Sequence, residues 1–336
     1  MGYRAEKLAV EEKLKIVKRI VLFCLLGILL TLCIFSSFVP AETWKYYVSL
    51  PKVSKRQKGE LRIHFLDVEQ GDATIIELPD GQIMLIDGGN GAEKNTAKLL
   101  RYLNALKIKT VDHLLITHSD SDHCGGLDKV LKYKQVKRVY LPNVAFDVNA
   151  EYAECYAEIL EKNCQKTLSS RNVEISSINA QYAYTLAFLY PYTSEATEEN
   201  ESAEENNDQS AVVWLDYNGV SVLFTGDAPK AVEEILIRDH TLGLFESRGV
   251  DLNDTEILKV SHHGSNDSTS EGFLRYLNVK TAVLSYGKDN MYGHPSKDVI
   301  DALKSVGTET YHTALDGHIM ITIASNGDYK ATKIAS

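Results

Sequence analysis

Residues 114–126 read Leu-Leu-Ile-Thr-His-Ser-Asp-Ser-Asp-His-Cys-Gly-Gly, and they give the strongest indication of the fold. The apolar run 114–117 predicts a buried strand, and the stretch 125–133 predicts a helix. Between them lie four residues able to ligate a metal: His118, Asp120, Asp122 and His123. Carboxylates crowded into one loop repel each other unless a cation compensates them, and carboxylate with imidazole suits Zn²⁺, Mn²⁺ or Fe²⁺. The loop therefore predicts a metal site, the alternative being a polar loop with capping aspartates.

Two later segments repeat this arrangement of polar residues directly after an apolar strand. Asp227 follows the predicted strand 220–225, and the pair His262-His263 follows the predicted strand 257–260. The alternatives are a helix-capping role for Asp227 and a core position for the histidines. Ligands gather at the carboxyl ends of strands in α/β sheets, so we expect all three segments to meet there.

The rest of the pattern indicates an α/β protein. Predicted strands cluster at 62–68, 73–78 and 82–87, and helices and strands alternate from residue 94 onward. Such an order favours sheets with helices packed on their outer faces. Residues 193–209 are acidic and rich in Ser and Asn, and predict a mobile solvated loop.

Charge divides the chain of 336 residues into two unlike parts. Residues 1–60 carry 11 Lys/Arg against 5 Asp/Glu, and residues 61–336 carry 25 against 41. An acidic body is a poor binder of long polyanions, because neutralising phosphates requires clustered Lys and Arg. One cluster of basic residues follows the metal loop in this acidic body: Lys129, Lys132, Lys134, Lys137 and Arg138. It could contact a phosphate backbone, although lysine-rich helix faces are usually only solvated.

The N-terminal part predicts a membrane anchor. Residues 20–39 are apolar apart from Thr31, Ser36 and Ser37, and are long enough as a helix to cross a bilayer. Basic residues in 1–19 predict a cytoplasmic N-terminus, and therefore an extracytoplasmic body at 61–336. Residues 40–60, with aromatic residues suited to the membrane interface, are predicted to be the linker between them. The alternatives are a signal peptide cleaved near Ala41, giving a secreted body, and a buried soluble helix.

Residues 61–325 resemble the metallo-β-lactamase fold superfamily, and more closely the hydrolase domain of ComEC-type competence proteins, which act in DNA uptake. That subfamily usually has glycine where this chain has Glu69. The resemblance implies a four-layer αβ/βα sandwich, here as a stand-alone form behind one transmembrane helix. It is carried by the 118–123 loop and by the segments 65–73, 85–89, 207–210, 225–227, 262–265 and 292–296.

The resemblance also implies a pair of divalent metal ions, Zn²⁺ or Mn²⁺. His118 and Asp120 would face one ion, Asp122 and His123 would hold the other, and Asp227 would bridge them. Either His262 or His263 completes the set, and the sequence does not choose between them. Asp87 would support the metal loop, Asp122 and His294 would act in catalysis, and further residues would contact substrate or support the ligands: Asp67, Gln70, Asp72, Asn207, Ser210 and Ser265.

The implied activity is metal-dependent hydrolysis of a phosphodiester outside the membrane, as in a nuclease. The acidic body favours a short or single-stranded nucleic acid over a long duplex. One alternative is another metallo-hydrolase, such as a surface phosphocholine esterase, a lactonase or a β-lactamase-like enzyme. The other is a binding module without catalysis.

Overall fold

The computed structural model describes residues 2–38, 40–192 and 206–336. Chain contacts divide it into two units, 1–49 and 50–336. The acidic segment 193–209 lies outside the described residues except for Asn206–Gln209.

Two mixed β-sheets form the centre of the larger unit. From edge to edge, the first contains β15 (Tyr329–Ile334), β14 (His318–Ile323), β1 (Leu61–Phe65), β2 (Thr74–Glu77), β3 (Ile83–Ile86), β4 (Thr110–Leu115), β5 (Gln135–Leu141) and β6 (Gln165–Leu168). The second contains β13 (Glu309–His312), β12 (Thr281–Leu284), β11 (Thr255–Lys259), β10 (Val220–Phe224), β9 (Val212–Tyr217), β8 (Thr185–Tyr190) and β7 (Glu174–Ser176). Strands β3–β6 and β10–β13 pair in parallel, so their carboxyl ends share one edge within each sheet.

The helices of this unit follow the strands. They are α2 (Glu93–Ala105), α3 (Ser121–Cys124), α4 (Leu127–Tyr133), α5 (Ala150–Glu161), α6 (Lys230–Thr241), α7 (Glu271–Leu277), α8 (Lys297–Ser305) and α9 (Thr313–Asp316). Leu236, Phe273 and Leu303 pack with Leu223 and Leu258 on the outer face of the second sheet. On the first sheet, the Tyr102 hydroxyl of α2 lies 3.0 Å from Nδ1 of the buried His64.

The main core lies between the two sheets. Side chains that alternate along β1, such as Ile63 and Phe65, are buried against Val222 and Phe224 of β10. The rings of Phe65 and Phe224 are 6.2 Å apart. Helices therefore cover both outer faces of a two-sheet sandwich, and the predicted αβ/βα architecture is confirmed.

The smaller unit is built around a single long helix, α1 (Gly2–Phe38). Its segment Glu12–Phe38 is long and apolar enough to cross a membrane, and it is the one such helix in the described parts of the chain. It begins earlier than the predicted span 20–39, and Val39 lies outside the described residues. The Phe35 ring lies 5.5 Å from that of Trp44 and 6.1 Å from that of Tyr47, so aromatic rings cluster at the end of the helix.

Candidate metal centre

Loops after several strands bring the predicted polar residues to one place. The 118–123 loop follows β4 and enters α3, while Asp227 follows β10 and the two histidines follow β11. Asp72 lies between β1 and β2, and its backbone N–H donates to the Asp122 carbonyl at 3.1 Å. Glycines permit this packing, because a Cβ on Gly126 would lie 2.2 Å from the Gly88 carbonyl oxygen.

Asp227 is buried at the middle of the cluster. Its Oδ1 lies 3.2 Å from His123 Nε2, and its Oδ2 lies 3.4 Å from His263 Nε2. The Nε2 atoms of His262 and His118 lie 3.7 Å and 4.0 Å from that Oδ2. One carboxylate therefore faces four imidazoles, which is the environment expected of a bridging ligand.

Asp120 and Asp122 lie beside different histidines of this cluster. Asp120 Oδ2 is 3.5 Å from His118 Nε2, and Asp122 Oδ2 is 3.2 Å from His263 Nε2. The potential ligand atoms of His118, His123 and Asp227 lie within 4.8 Å of one another, and so do those of Asp122, His123 and His263. His123 belongs to both groups.

The buried atoms that face this space lack hydrogen-bond partners in the described structure: Nε2 of His118, His123 and His263, and Oδ1 of Asp227. An unsatisfied buried polar atom costs about 1–3 kcal/mol, so four of them converging on one point require a compensating group. Imidazole nitrogens and carboxylate oxygens fit a divalent cation of the Zn²⁺ or Mn²⁺ type. The residues present therefore fit the metal that the resemblance implies.

Hydrogen bonds behind the cluster fix the imidazole tautomers. His123 Nδ1 lies 2.8 Å from Asp87 Oδ2, and Asp87 also accepts from the Thr117 backbone at 2.9 Å and hydroxyl at 2.7 Å. His263 Nδ1 donates to the Ser285 carbonyl at 2.9 Å. A proton held on Nδ1 leaves the Nε2 lone pair facing the cluster.

The two adjacent histidines differ in burial. His263 is buried with Nε2 close to Asp122 and Asp227, whereas His262 is partly exposed. Both have left-handed backbones, with φ of 47° and 54°. The geometry favours His263 as the deeper ligand, with His262 at the mouth of the centre.

Mutual electrostatics keep the carboxylates ionised. Burial opposes the charged form of Asp227, but His123, His263 and His118 hold its pKa well below the ordinary value. Burial likewise disfavours charge on His123, yet Asp227 and Asp87 raise its pKa well above the usual range. The centre thus presents anionic oxygens to any cation that enters.

The structure adds two residues that the sequence analysis missed. The Asn206 amide donates to Asp120 Oδ1 at 2.5 Å and accepts from the Ser119 hydroxyl, beside the predicted Asn207. Lys259, buried at the end of β11, lies 2.6 Å from Asp72 Oδ2. A lysine inside an apolar strand next to two histidines was the available signal for the second.

The remaining predicted residues have the following contacts. Ser210 Oγ accepts from the Asp227 backbone at 3.3 Å, and Asn207 Oδ1 is buried without a hydrogen-bond partner. Gln70 Oε1 accepts from the Gly287 backbone at 3.3 Å, and Ser265 Oγ accepts from the backbone of residue 267.

Asp67 and Glu69, in the loop between β1 and β2, lie outside the cluster of potential metal ligands. Asp67 pairs with Lys98 at 2.8 Å. Glu69, where the resembled subfamily usually has glycine, has φ of 61°, a conformation that glycine adopts without strain.

His294 lies at the rim of the centre. Its ring is 5.5 Å from that of His262 and 6.3 Å from that of His263, and its Nδ1 is buried without a partner. Burial, together with His263 and His262, lowers its pKa.

Comparison with known proteins agrees with this fold. A family model described as the metallo-beta-lactamase superfamily matches residues 66–182. A mutant of the CmlA beta-hydroxylase has a similar fold, with a TM-score of 0.50 at 12% identity over 79% of this chain and 54% of that one. The chain therefore has the metallo-β-lactamase fold, and residues 66–182 within it match the model of that superfamily.

In sequence, the chain is also similar to competence proteins. It is 28% identical over 276 residues to ComE operon protein 3 of Bacillus subtilis (strain 168), covering 78% of this chain and 33% of that protein. It is 26% identical over 271 residues to Competence protein ComA of Neisseria gonorrhoeae, covering 80% and 33%. The chain spans about a third of the length of these relatives.

Proposed function

We propose that the protein is a metal-dependent phosphodiesterase that cleaves nucleic acid outside the membrane. The observation that carries this proposal is that the unsatisfied buried Nε2 atoms of His118, His123 and His263 surround Asp227, whose own Oδ1 is also unsatisfied. When bound, a pair of divalent cations supplies Lewis-acid chemistry, lowering the pKa of water and offsetting charge on phosphoryl oxygens. The similarity to competence proteins supports DNA as the polymer.

The chain's own residues prepare the site for that chemistry. His118, His123 and Asp227 would hold one cation, with Asp120 beside it. Asp122 and His263 would hold the other, sharing Asp227. Asp87 holds the His123 ring with its Nε2 toward the centre, so the ring need not rotate to bind a cation.

His294 is proposed to contact the substrate. Its ring borders both histidines that follow β11, and among the described residues it belongs to no close cluster of ligand atoms. It would bind a phosphoryl or leaving-group oxygen at the rim. Asn207, with an unpartnered amide oxygen, is a second candidate for substrate contact.

We further propose that α1 anchors the chain with residues 1–19 in the cytoplasm and the body from residue 61 outside. The proposal is supported by the span Glu12–Phe38 and by the basic residues that precede the apolar part. Protease added to intact cells should then remove a C-terminal tag. A tag that is protected until the cells are lysed contradicts this orientation.

The activity is tested with the full chain in detergent, freed of metal and reloaded with Mn²⁺ or Zn²⁺. Single-stranded DNA and bis-p-nitrophenyl phosphate are the substrates, and Asp122→Asn and Asp227→Asn are the variants. We expect losses of about 100-fold or more, with fewer ions bound per chain. Asp298→Asn, an exposed carboxylate at the start of α8, is the matched control and should stay within about twofold.

Three outcomes would contradict the proposal. Turnover that Asp122→Asn leaves unchanged would show that the chemistry takes place elsewhere. Hydrolysis of a phosphocholine ester, lactone or β-lactam but not of DNA would assign another metallo-hydrolase activity. Stoichiometric metal without turnover of any substrate would leave a binding module.

A further inference from the structure

An exposed aromatic residue borders the metal centre. The loop 285–296 follows β12 and carries Met291 and Tyr292, whose side chains are 94% and 67% exposed. Met291 is the most exposed large apolar side chain in the described part of the chain. An apolar, aromatic tip beside a cluster of charged groups offers a contact surface to a partner with a flat apolar face.

The Tyr292 ring continues a series of rings that starts at the buried ligands. It lies 5.7 Å from the ring of His294 with an interplanar angle of 25°. The His294 ring lies 6.3 Å from that of His263 at 27°. The rings are thus roughly parallel from the centre to the surface, and the last ring is the exposed Tyr292.

Hydrogen bonds from the Asn290 side chain to the backbone hold this loop in place. The Asn290 amide donates to the carbonyls of Gly287 and His294, both at 2.7 Å, and its Oδ1 accepts from the His294 backbone at 3.0 Å. The amide closes the loop on both sides of Tyr292. The exposed ring is therefore presented by a closed turn rather than by a free tail.

We propose that Tyr292 stacks against a nucleobase next to the phosphodiester that is cleaved, so that the substrate is single-stranded nucleic acid rather than a base-free phosphodiester polymer. This inference rests on the proposed function. Bases in a duplex are already stacked on each other, whereas an unpaired base has a free face for an aromatic side chain.

The charge of the chain favours the same partner. Residues 61–336 carry 41 acidic against 25 basic residues, so the body attracts a long phosphate backbone poorly. Stacking does not depend on net charge, and each base gains about 1–3 kcal/mol from an aromatic platform. An acidic nuclease therefore needs a contact of this kind more than a basic one does.

The test uses the full chain in detergent with Mn²⁺ and two oligonucleotides of equal length, one of thymidines and one with abasic sites. The Tyr292→Ala change should raise KM for the thymidine substrate by about 5- to 100-fold. It should leave the slower cleavage of the abasic substrate within about twofold. Tyr292→Phe, which keeps the ring, should behave as the parent protein, and so should Leu242→Ala, an exposed residue at the end of α6.

The outcomes separate this inference from the proposed function. Equal kinetics on both oligonucleotides in the parent protein, or no effect of Tyr292→Ala, overturns the stacking contact and leaves the phosphodiesterase intact. Equal losses on both substrates also overturn it, because the ring would then act on the site and not on the base. Failure to cleave either oligonucleotide refutes the phosphodiesterase itself.

Discussion

The buried ion pair between Lys259 and Asp72 allows a strong prediction about stability. The two charged atoms lie 2.6 Å apart, and their side chains are only 4% and 5% exposed. Lys259→Met keeps the length of the side chain and leaves the buried Asp72 carboxylate without its lysine, with His263 Nδ1 still 3.7 Å from its Oδ1. Removing one partner of such a pair costs about 3–5 kcal/mol. We expect the Tm to fall by about 6–15 °C.

A double-mutant cycle separates the lost pair from a general packing defect. Asp72→Asn alone leaves the lysine unpaired and should also destabilise the protein, whereas the double variant buries no charge and should recover at least about half of the loss. The control is Lys280→Met, which breaks an exposed pair with Glu256 of almost the same length, 2.7 Å. We expect that change to cost less than about 1 kcal/mol.

The assay is thermal unfolding of the full chain in detergent, with and without a chelator. Chelator should increase the loss caused by Lys259→Met, because Asp72 and Asp227 lie close together and removing bound cations leaves them with less compensating positive charge. The reasoning fails if Lys259→Met shifts the Tm by less than about 2 °C. It also fails if the two single losses simply add in the double variant.

Three further perturbations follow from the same structure. Asp87→Asn weakens the hydrogen bond that orients His123, and should lower the affinity for divalent metal by about 10- to 100-fold. The affinity is measured by competition with a chromophoric chelator, and an unchanged affinity would refute the orienting role of Asp87. Gly126→Ala should unfold at a clearly lower temperature because its Cβ would meet a carbonyl oxygen, whereas Gly272→Ala, with open space around it in α7, should be neutral or stabilising. His318 is buried and accepts the Asp67 backbone N–H on Nδ1. Burial, together with Lys98 and His64 and against the opposing effect of Asp67, lowers its pKa from 6.5 to about 4. The unfolded chain therefore binds the proton first as pH falls, so this group should cost about 3 kcal/mol of stability between pH 7 and pH 4. His318→Gln should flatten that part of the denaturation profile, and parallel profiles for the two proteins would contradict the assignment.

The parts of the fold that the sequence predicted are those with a strong periodic signal. Apolar runs predicted the central strands β1–β5 and β9–β12, and polar residues at their ends located the centre. Four of the missed strands, β6, β7, β13 and β15, are the edges of the two sheets. Edge strands pair on one side only and carry polar residues, as in Glu-Thr-Tyr-His of β13, so their pattern resembles a loop.

The remaining omissions have different causes. β8 reads Thr-Leu-Ala-Phe-Leu-Tyr, an apolar run that did carry the signal of a buried strand. Lys259 was hidden because a lysine within a predicted strand is normally read as solvated, and only the approach of Asp72, far away in sequence, explains its burial. His262 and His263 differ in burial and in their distances to Asp122 and Asp227, which the order of residues does not encode directly.

The consecutive left-handed backbones of His262 and His263 have a consequence for how durable the protein can be. Each residue with a Cβ in this conformation costs about 1–2 kcal/mol relative to glycine. Selection for thermal endurance alone would favour glycine at both positions, and selection for chemistry keeps the imidazoles. We therefore expect laboratory evolution for heat resistance to replace both histidines early, with loss of hydrolytic activity.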